Sequence, residues 1–238
     1  MVTNFNEACE QLTNEMWALT EKESPIGPVV DGIINVDNYL KAKYRILWIL
    51  KESNDVVDGK GGHWNLVTKL NEAELWENQP QTGATTIKRM VYASYGILNG
   101  FAEYQHIPSI NYPEVLAALK QIGYINVKKI PGGSTANGKE IQKAYIDNRD
   151  LLLRQINTYN PDIIITGNTL QYFFNDLPIP FDNKKYVNSQ TGNTAYYPDK
   201  NRVYIHAYHP AVWASTINEE DYCNEIILAA KDWAENYK

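Results

Sequence analysis

The segment RVYIHAYHPAVW at 202–213 is an apolar run that closes on His209-Pro210, with His206 three residues earlier. An imidazole in such a place can donate a hydrogen bond, carry a proton or bind a metal. Proline offers no N–H to a sheet ladder and drives the preceding residue to an extended conformation, which puts His209 at the carboxyl end of a strand. Three other apolar runs also end in polar groups. YRILWIL leads into Lys51-Glu52-Ser53-Asn54-Asp55, YINVKKI carries Asn126 ahead of PGGSTANGK, and DIIIT leads into Gly167-Asn168. A carboxylate, amides and an imidazole gathered at one place would form a polar ligand-binding site. A zinc pair is not expected of His206 and His209, because along a strand such positions point to opposite faces. PGGSTANGK lacks the spacing of a phosphate loop.

These groups need a scaffold that brings strand ends together, and the hydrophobic pattern supplies one. Strands are expected at 44–50, 124–130, 162–166 and 202–208, the first so uniformly apolar that it must be buried on both faces, as in a parallel sheet. Between them lie helical patterns over 5–19, 64–77, 85–104, 112–121 and 140–159, a helix at LQYFF, and a C-terminal helix starting at Asn218. Residues 185–197 read as a hairpin around Gly192-Asn193. Strands alternating with helices imply right-handed crossovers and an α/β fold, a three-layer α/β/α sandwich around a central, mainly parallel four-stranded sheet. With no linker or repeat, residues 1–238 are expected to form one domain. All four strand ends then share one edge, where open α/β sheets bind ligands.

Composition narrows the setting. Hydrophobic residues make up 44% of the chain, and 28 acidic against 22 basic residues leave a net charge of −6, which argues against a broad nucleic-acid surface but not against a local basic patch. Cys9 and Cys223 sit in helical patterns far apart in sequence and read as structural thiols; two cysteines cannot hold an iron–sulfur cluster. No run is long enough to span a membrane, and the first residues lack the pattern of a signal peptide. The expectation is a cytoplasmic protein with no cofactor, no metal and no membrane partner. Each polar strand end also has an ordinary reading, since Ser53, Asn54 and Asn168 are residue types that turns prefer for backbone reasons.

The run YINVKKIPGG, the stretch EIQKAYIDNRDLLLRQINTYNPDIIITGN and then HAYHPA resemble, in this order, the uracil-DNA glycosylase-like superfamily. KESND stands where that family's first motif reads G-Q-D-P-Y or G-E-A-P-G, and HPA stands for H-P-S. The resemblance covers about 45–210. It implies hydrolysis of the N-glycosidic bond of uracil or another altered base in DNA, or else a non-catalytic member that binds a nucleobase, nucleotide or nucleic acid. Glu52 or Asp55 would be the water-positioning carboxylate, Asn126 the reader of the base edge with Asn168 beside it, and His209 the donor to the departing base. Val212 and Trp213 would lie in the loop that presses on DNA. His63-Trp64 or Tyr208 would offer an aromatic platform, though each also fits core packing. An unrelated α/β hydrolase or a protein-interaction domain is the remaining reading.

Overall fold

The computed structural model describes residues 2–20, 23–72 and 81–238. In chain order the elements are α1 (Val2–Trp17), β1 (Val29–Val30), β2 (Gly32–Ile33), α2 (Val36–Lys41), β3 (Ile46–Leu50), β4 (Trp64–Asn65), α3 (Leu66–Asn71) and α4 (Gln81–Leu98). The second half adds α5 (Pro113–Leu116), β5 (Ile122–Asn126), α6 (Gly138–Tyr159), β6 (Ile163–Gly167), β7 (Lys185–Asn188), β8 (Asn193–Pro198), β9 (Val203–Ala207) and α7 (Glu219–Asn236).

Seven strands form one mixed sheet in the order β2-β5-β3-β6-β9-β8-β7, and β1 and β4 form a small parallel pair beside it. Within the large sheet β5, β3, β6 and β9 run parallel to one another. The expectation of four strands is therefore corrected at both edges. β2 adds antiparallel to β5, and the β7–β8 hairpin adds antiparallel to β9. Two residues, Gly32 and Ile33, are too few to display a period of two, so β2 is silent in the sequence. The hairpin is visible there, and a second tight turn, in which the Asp199 N–H donates to the Arg202 carbonyl, folds β8 back on β9 and pairs Ala195 with His206 and Tyr197 with Tyr204.

Every residue of β3, β5 and β6 is buried, because successive side chains point to opposite faces and both faces are covered. On one face Ile46, Trp48, Leu50, Ile165 and Ile205 meet Met90 and Val91 of α4 and Ile226, Ile227 and Trp233 of α7. On the other, Leu47, Ile49, Ile164 and Tyr204 meet Leu12 and Met16 of α1 and Ile141, Leu152 and Ile156 of α6. Each such side chain contributes roughly 1.5–3 kcal/mol of burial, enough to hold the strand ends in fixed register.

Local chemistry sets the helix limits. The Asn137 side chain accepts from the Lys139 N–H at the start of α6, and Asn160 closes that helix in a left-handed conformation (φ 43°) before Pro161. Asn218 caps α7, with Glu219, Glu220 and Asp221 in its favourable first turn. The helix expected over 85–104 ends at Leu98 instead, because Gly100 (φ 76°) and Phe101 (φ 61°) turn left-handed. Of the helix expected over 64–77, α3 covers Leu66–Asn71, and 73–77 lie outside the described residues. The strand expected at 124–130 lies at Ile122–Asn126, so Asn126 is its last residue. No described helix is long and apolar enough to cross a membrane.

Candidate functional site at the carboxyl edge of the sheet

Register brings the four chain exits to one level. Leu50 stands opposite Asn126, Ile49 opposite Thr166, Thr166 opposite His206 and Gly167 opposite Ala207. Gly167 is needed there: a Cβ on it would stand 2.4 Å from Leu50 Cδ2 and 3.4 Å from the His209 Cα. The absent side chain lets the segment after β9 cross close over β6.

Asn126 is 1% exposed. Its backbone N–H donates to Asp31 Oδ2 (2.8 Å) and its Nδ2 donates to Ser53 Oγ (3.3 Å). Its Oδ1 is buried without a hydrogen-bond partner. A buried amide oxygen left unpaired costs about 1–3 kcal/mol, and it can accept from a ligand N–H. Asp31 is held in turn by Lys129 Nζ at 2.7 and 2.9 Å and by Gln155 Nε2 at 3.0 Å. Burial pulls the Lys129 ammonium below its ordinary value, and the Asp31 charge opposes that pull.

The Glu52 side chain is 5% exposed and accepts from Lys128 Nζ at 2.6 Å. It lies beneath the glycine loop, where a Cβ on Gly132 would stand 2.3 Å from Glu52 Oε2. That loop is stitched to the segment after β3: the Gly132 N–H donates to the Ser53 carbonyl, and the Asp55 N–H donates to the Gly132 carbonyl. Asp55, the other carboxylate candidate, is engaged in its own loop. Its Oδ2 accepts from the Gly62 N–H (2.8 Å) and from the Trp64 indole (2.6 Å).

His209 is half-buried. The Ala211 N–H donates to its Nδ1 at 3.1 Å, which leaves the proton of a neutral ring on Nε2. Burial first, and Lys51 second, push its pKa down to about 4, so the ring is a neutral donor at pH 7. The loop after it is fixed from below by Arg89, which is 3% exposed. Its guanidinium donates to the carbonyls of Pro210 and Val212 at 3.0 Å each and of Ile217 at 3.4 Å. Val212 is half-buried against the core, whereas Trp213 projects from the loop at 82% exposure.

The remaining candidates divide. Asn168 does reach this edge: it is exposed and left-handed (φ 58°), and its N–H donates to the Ala207 carbonyl. Trp64 is occupied by Asp55 and by Lys69, whose Nζ lies 3.8 Å from its ring centroid, so its contacts are structural. His63 is likewise engaged, with Nε2 2.7 Å from the Ser24 carbonyl oxygen. His206 stands apart from His209, its Nδ1 3.4 Å from Thr166 Oγ1, and burial and then Lys184 lower its pKa. Among the described residues no three His, Cys, Asp or Glu side chains gather as metal ligands would. Sequence reasoning missed Asp31, Lys129 and Arg89. A charge inside an apolar run, as in VVDGII and KRMVYASYGIL, was the available signal.

No protein-family model matches this chain, and no curated protein matches it.

Proposed function

We propose that this protein is a divergent member of the uracil-DNA glycosylase-like superfamily that hydrolyses the N-glycosidic bond of uracil or another altered base in DNA. On this reading the layers on either side of β5, β3, β6 and β9 are the three-layer sandwich of that superfamily, extended at both edges. The observation that carries the reading is the buried, unpartnered Oδ1 of Asn126 at the same sheet edge as the neutral Nε2–H donor of His209. An amide oxygen suits an imino N–H on a base edge. A neutral imidazole suits the oxygen of a base that gathers negative charge as its bond to the sugar lengthens, and one such donor is worth roughly 10²–10³-fold in rate.

The other half of the reaction leaves an oxocarbenium-like sugar, which a carboxylate stabilises while directing water to the anomeric carbon. Glu52 is the candidate, since Asp55 already serves two loop donors. The base must leave its stack to reach such a pocket, and the exposed Trp213 offers a surface against the strand it leaves. The bond cleaved is sugar C–N; water supplies the hydroxyl to the sugar and a proton to the base.

The test is incubation of the protein with oligonucleotides carrying uracil and other altered bases, followed by alkaline cleavage at abasic sites. Strand breaks at the altered base, lost in Asn126→Ala and His209→Ala, are the expected result. A second reading, binding of a nucleobase without hydrolysis, draws on the Lys128–Glu52 pair, because a carboxylate neutralised at 2.6 Å is a poor director of water. Saturable binding of free uracil without base release from any oligonucleotide would select it.

A further inference from the structure

Arg89 on α4 is a buried cation that, among the described residues, has no carboxylate partner. Its Nη1 donates to the carbonyls of Pro210 and Val212, its Nη2 donates to that of Ile217, and its Nε is buried without a partner. The Tyr222 ring, 5.1 Å from its Cζ, offers a π-face. Glu219, the acid that opens α7, is taken by Lys88 and by the Tyr104 hydroxyl instead. A charge kept in this way is costly. The turn it touches closes without it, since the Val212 N–H donates to the His209 carbonyl at 2.8 Å and the Tyr222 hydroxyl donates to the Tyr208 carbonyl at 3.1 Å. What the charge adds is its effect on the peptides it faces.

One of those peptides leads to the imidazole. The carbonyl of Pro210 and the N–H of Ala211 belong to one trans unit, in which the two groups point in opposite directions. A carbonyl drawn inward to Arg89 turns the N–H outward, where it donates to His209 Nδ1 at 3.1 Å. A cation on the carbonyl polarises the whole unit and strengthens its N–H as a donor. An N–H aimed at Nδ1 admits a lone pair there and rejects a proton. We propose that Arg89 is a positioning residue: acting through the Pro210–Ala211 peptide, it fixes His209 in the tautomer that carries its proton on Nε2. Burial, and then Lys51 after β3, disfavour a charged ring without choosing between its nitrogens. That the fixed tautomer serves base release rests on the glycosylase reading; that Arg89 fixes it does not.

Nitrogen NMR of the uniformly labelled protein reads this directly. The His209 ring should show a protonated Nε2, an unprotonated Nδ1 and a scalar coupling across the hydrogen bond from the Ala211 N–H to Nδ1. In Arg89→Met, which keeps an unbranched side chain and loses the charge, the coupling should vanish and the tautomer ratio should move roughly fivefold toward Nδ1–H, the worth of one hydrogen bond. Arg89→Lys, which keeps the charge but cannot hold three carbonyls, should stand between the two, and it carries the test if the methionine variant does not fold. A proton on Nδ1 of the wild-type ring, no coupling to Ala211, or a coupling and ratio unchanged in the variants that fold would overturn the inference. Loss of folding in both variants would overturn it too, because the charge would then hold the structure rather than the ring. In the base-release assay Arg89→Met should lower kcat roughly fivefold with KM little changed, since a freed ring has to be oriented as charge develops. A tautomer shift with no base release by the wild-type protein would leave the inference standing and sink the glycosylase reading. Base release with an unshifted tautomer would do the reverse.

Discussion

His209 is the residue whose protonation carries the most chemical meaning. Its pKa of about 4 lies below the ordinary 6.5 because burial, and next the Lys51 charge, disfavour the imidazolium. The unfolded chain therefore takes up this proton first as pH falls. The neutral ring adds stability that is fully present above about 6.5 and is lost as pH drops through about 4. Histidine ring signals followed by NMR should show His209 titrating near 4, and a midpoint near 6.5 would remove the buried-donor role. Under the glycosylase proposal His209→Ala should slow base release by roughly 10²–10³-fold while leaving the melting temperature nearly unchanged. A variant as fast as the wild-type protein would exclude His209 as the donor. His206→Ala, by contrast, should change stability more than rate, since its ring contacts Thr166 on β6 rather than the loop at the edge.

Between elements, the tie that matters is the fully buried pair of Asp31 and Lys129, with Gln155 closing it from α6. It joins the β2 edge, the segment after β5 and a helix on one face, and Asp31 also takes the N–H of Asn126. Removing Asp31 alone leaves a buried ammonium uncompensated, so Asp31→Ala should cost about 3–5 kcal/mol in urea unfolding. Asp31→Leu combined with Lys129→Met should cost much less, and equal losses for the two proteins would show that the pair's charge is not what is being measured. Arg89 ties the opposite end of the edge. Arg89→Met should raise amide hydrogen exchange across 210–217 without exposing the sheet, whereas unchanged exchange there would mean that the loop holds itself. Neither tie was legible in the sequence. A single charge within an apolar run reveals that it needs a partner, but the partner lies 98 residues away for Asp31 and between 121 and 128 away for Arg89 and its three carbonyls. The polar strand ends were legible, because Pro210, Gly167 and the glycine loop mark chain exits by local backbone chemistry.

For the whole molecule, the sequence disclosed the alternation of strands and helices and hence the four parallel strands, since long apolar runs between helical periods leave few other arrangements. It did not disclose the sheet's edges, where β2 is too short to show a pattern and β8 pairs on both sides, with β7 and, through the tight turn at 199–202, with β9. Charge has a local and a global reading as well. A net charge of −6 predicts weak attraction to nucleic acid, yet Lys51 follows β3, Lys60 lies in the loop beyond it and Lys139 opens α6, so the segments that follow β3 and β5 carry cations. Under the glycosylase proposal, binding of a single strand through a few such contacts has a characteristic salt response. Each phosphate neutralised on a single strand lowers the slope of log affinity against log salt by about 0.7, so three lysines predict a slope of about −2. Polarisation titrations of the single strand across a series of salt concentrations measure it directly. Lys60→Ala and Lys139→Ala should each flatten the line by about 0.7, whereas Trp213→Ala should lower it in parallel, because stacking releases no counterions. A slope much steeper than about −2, or one that none of these lysines alters, would place the phosphate path elsewhere on the molecule.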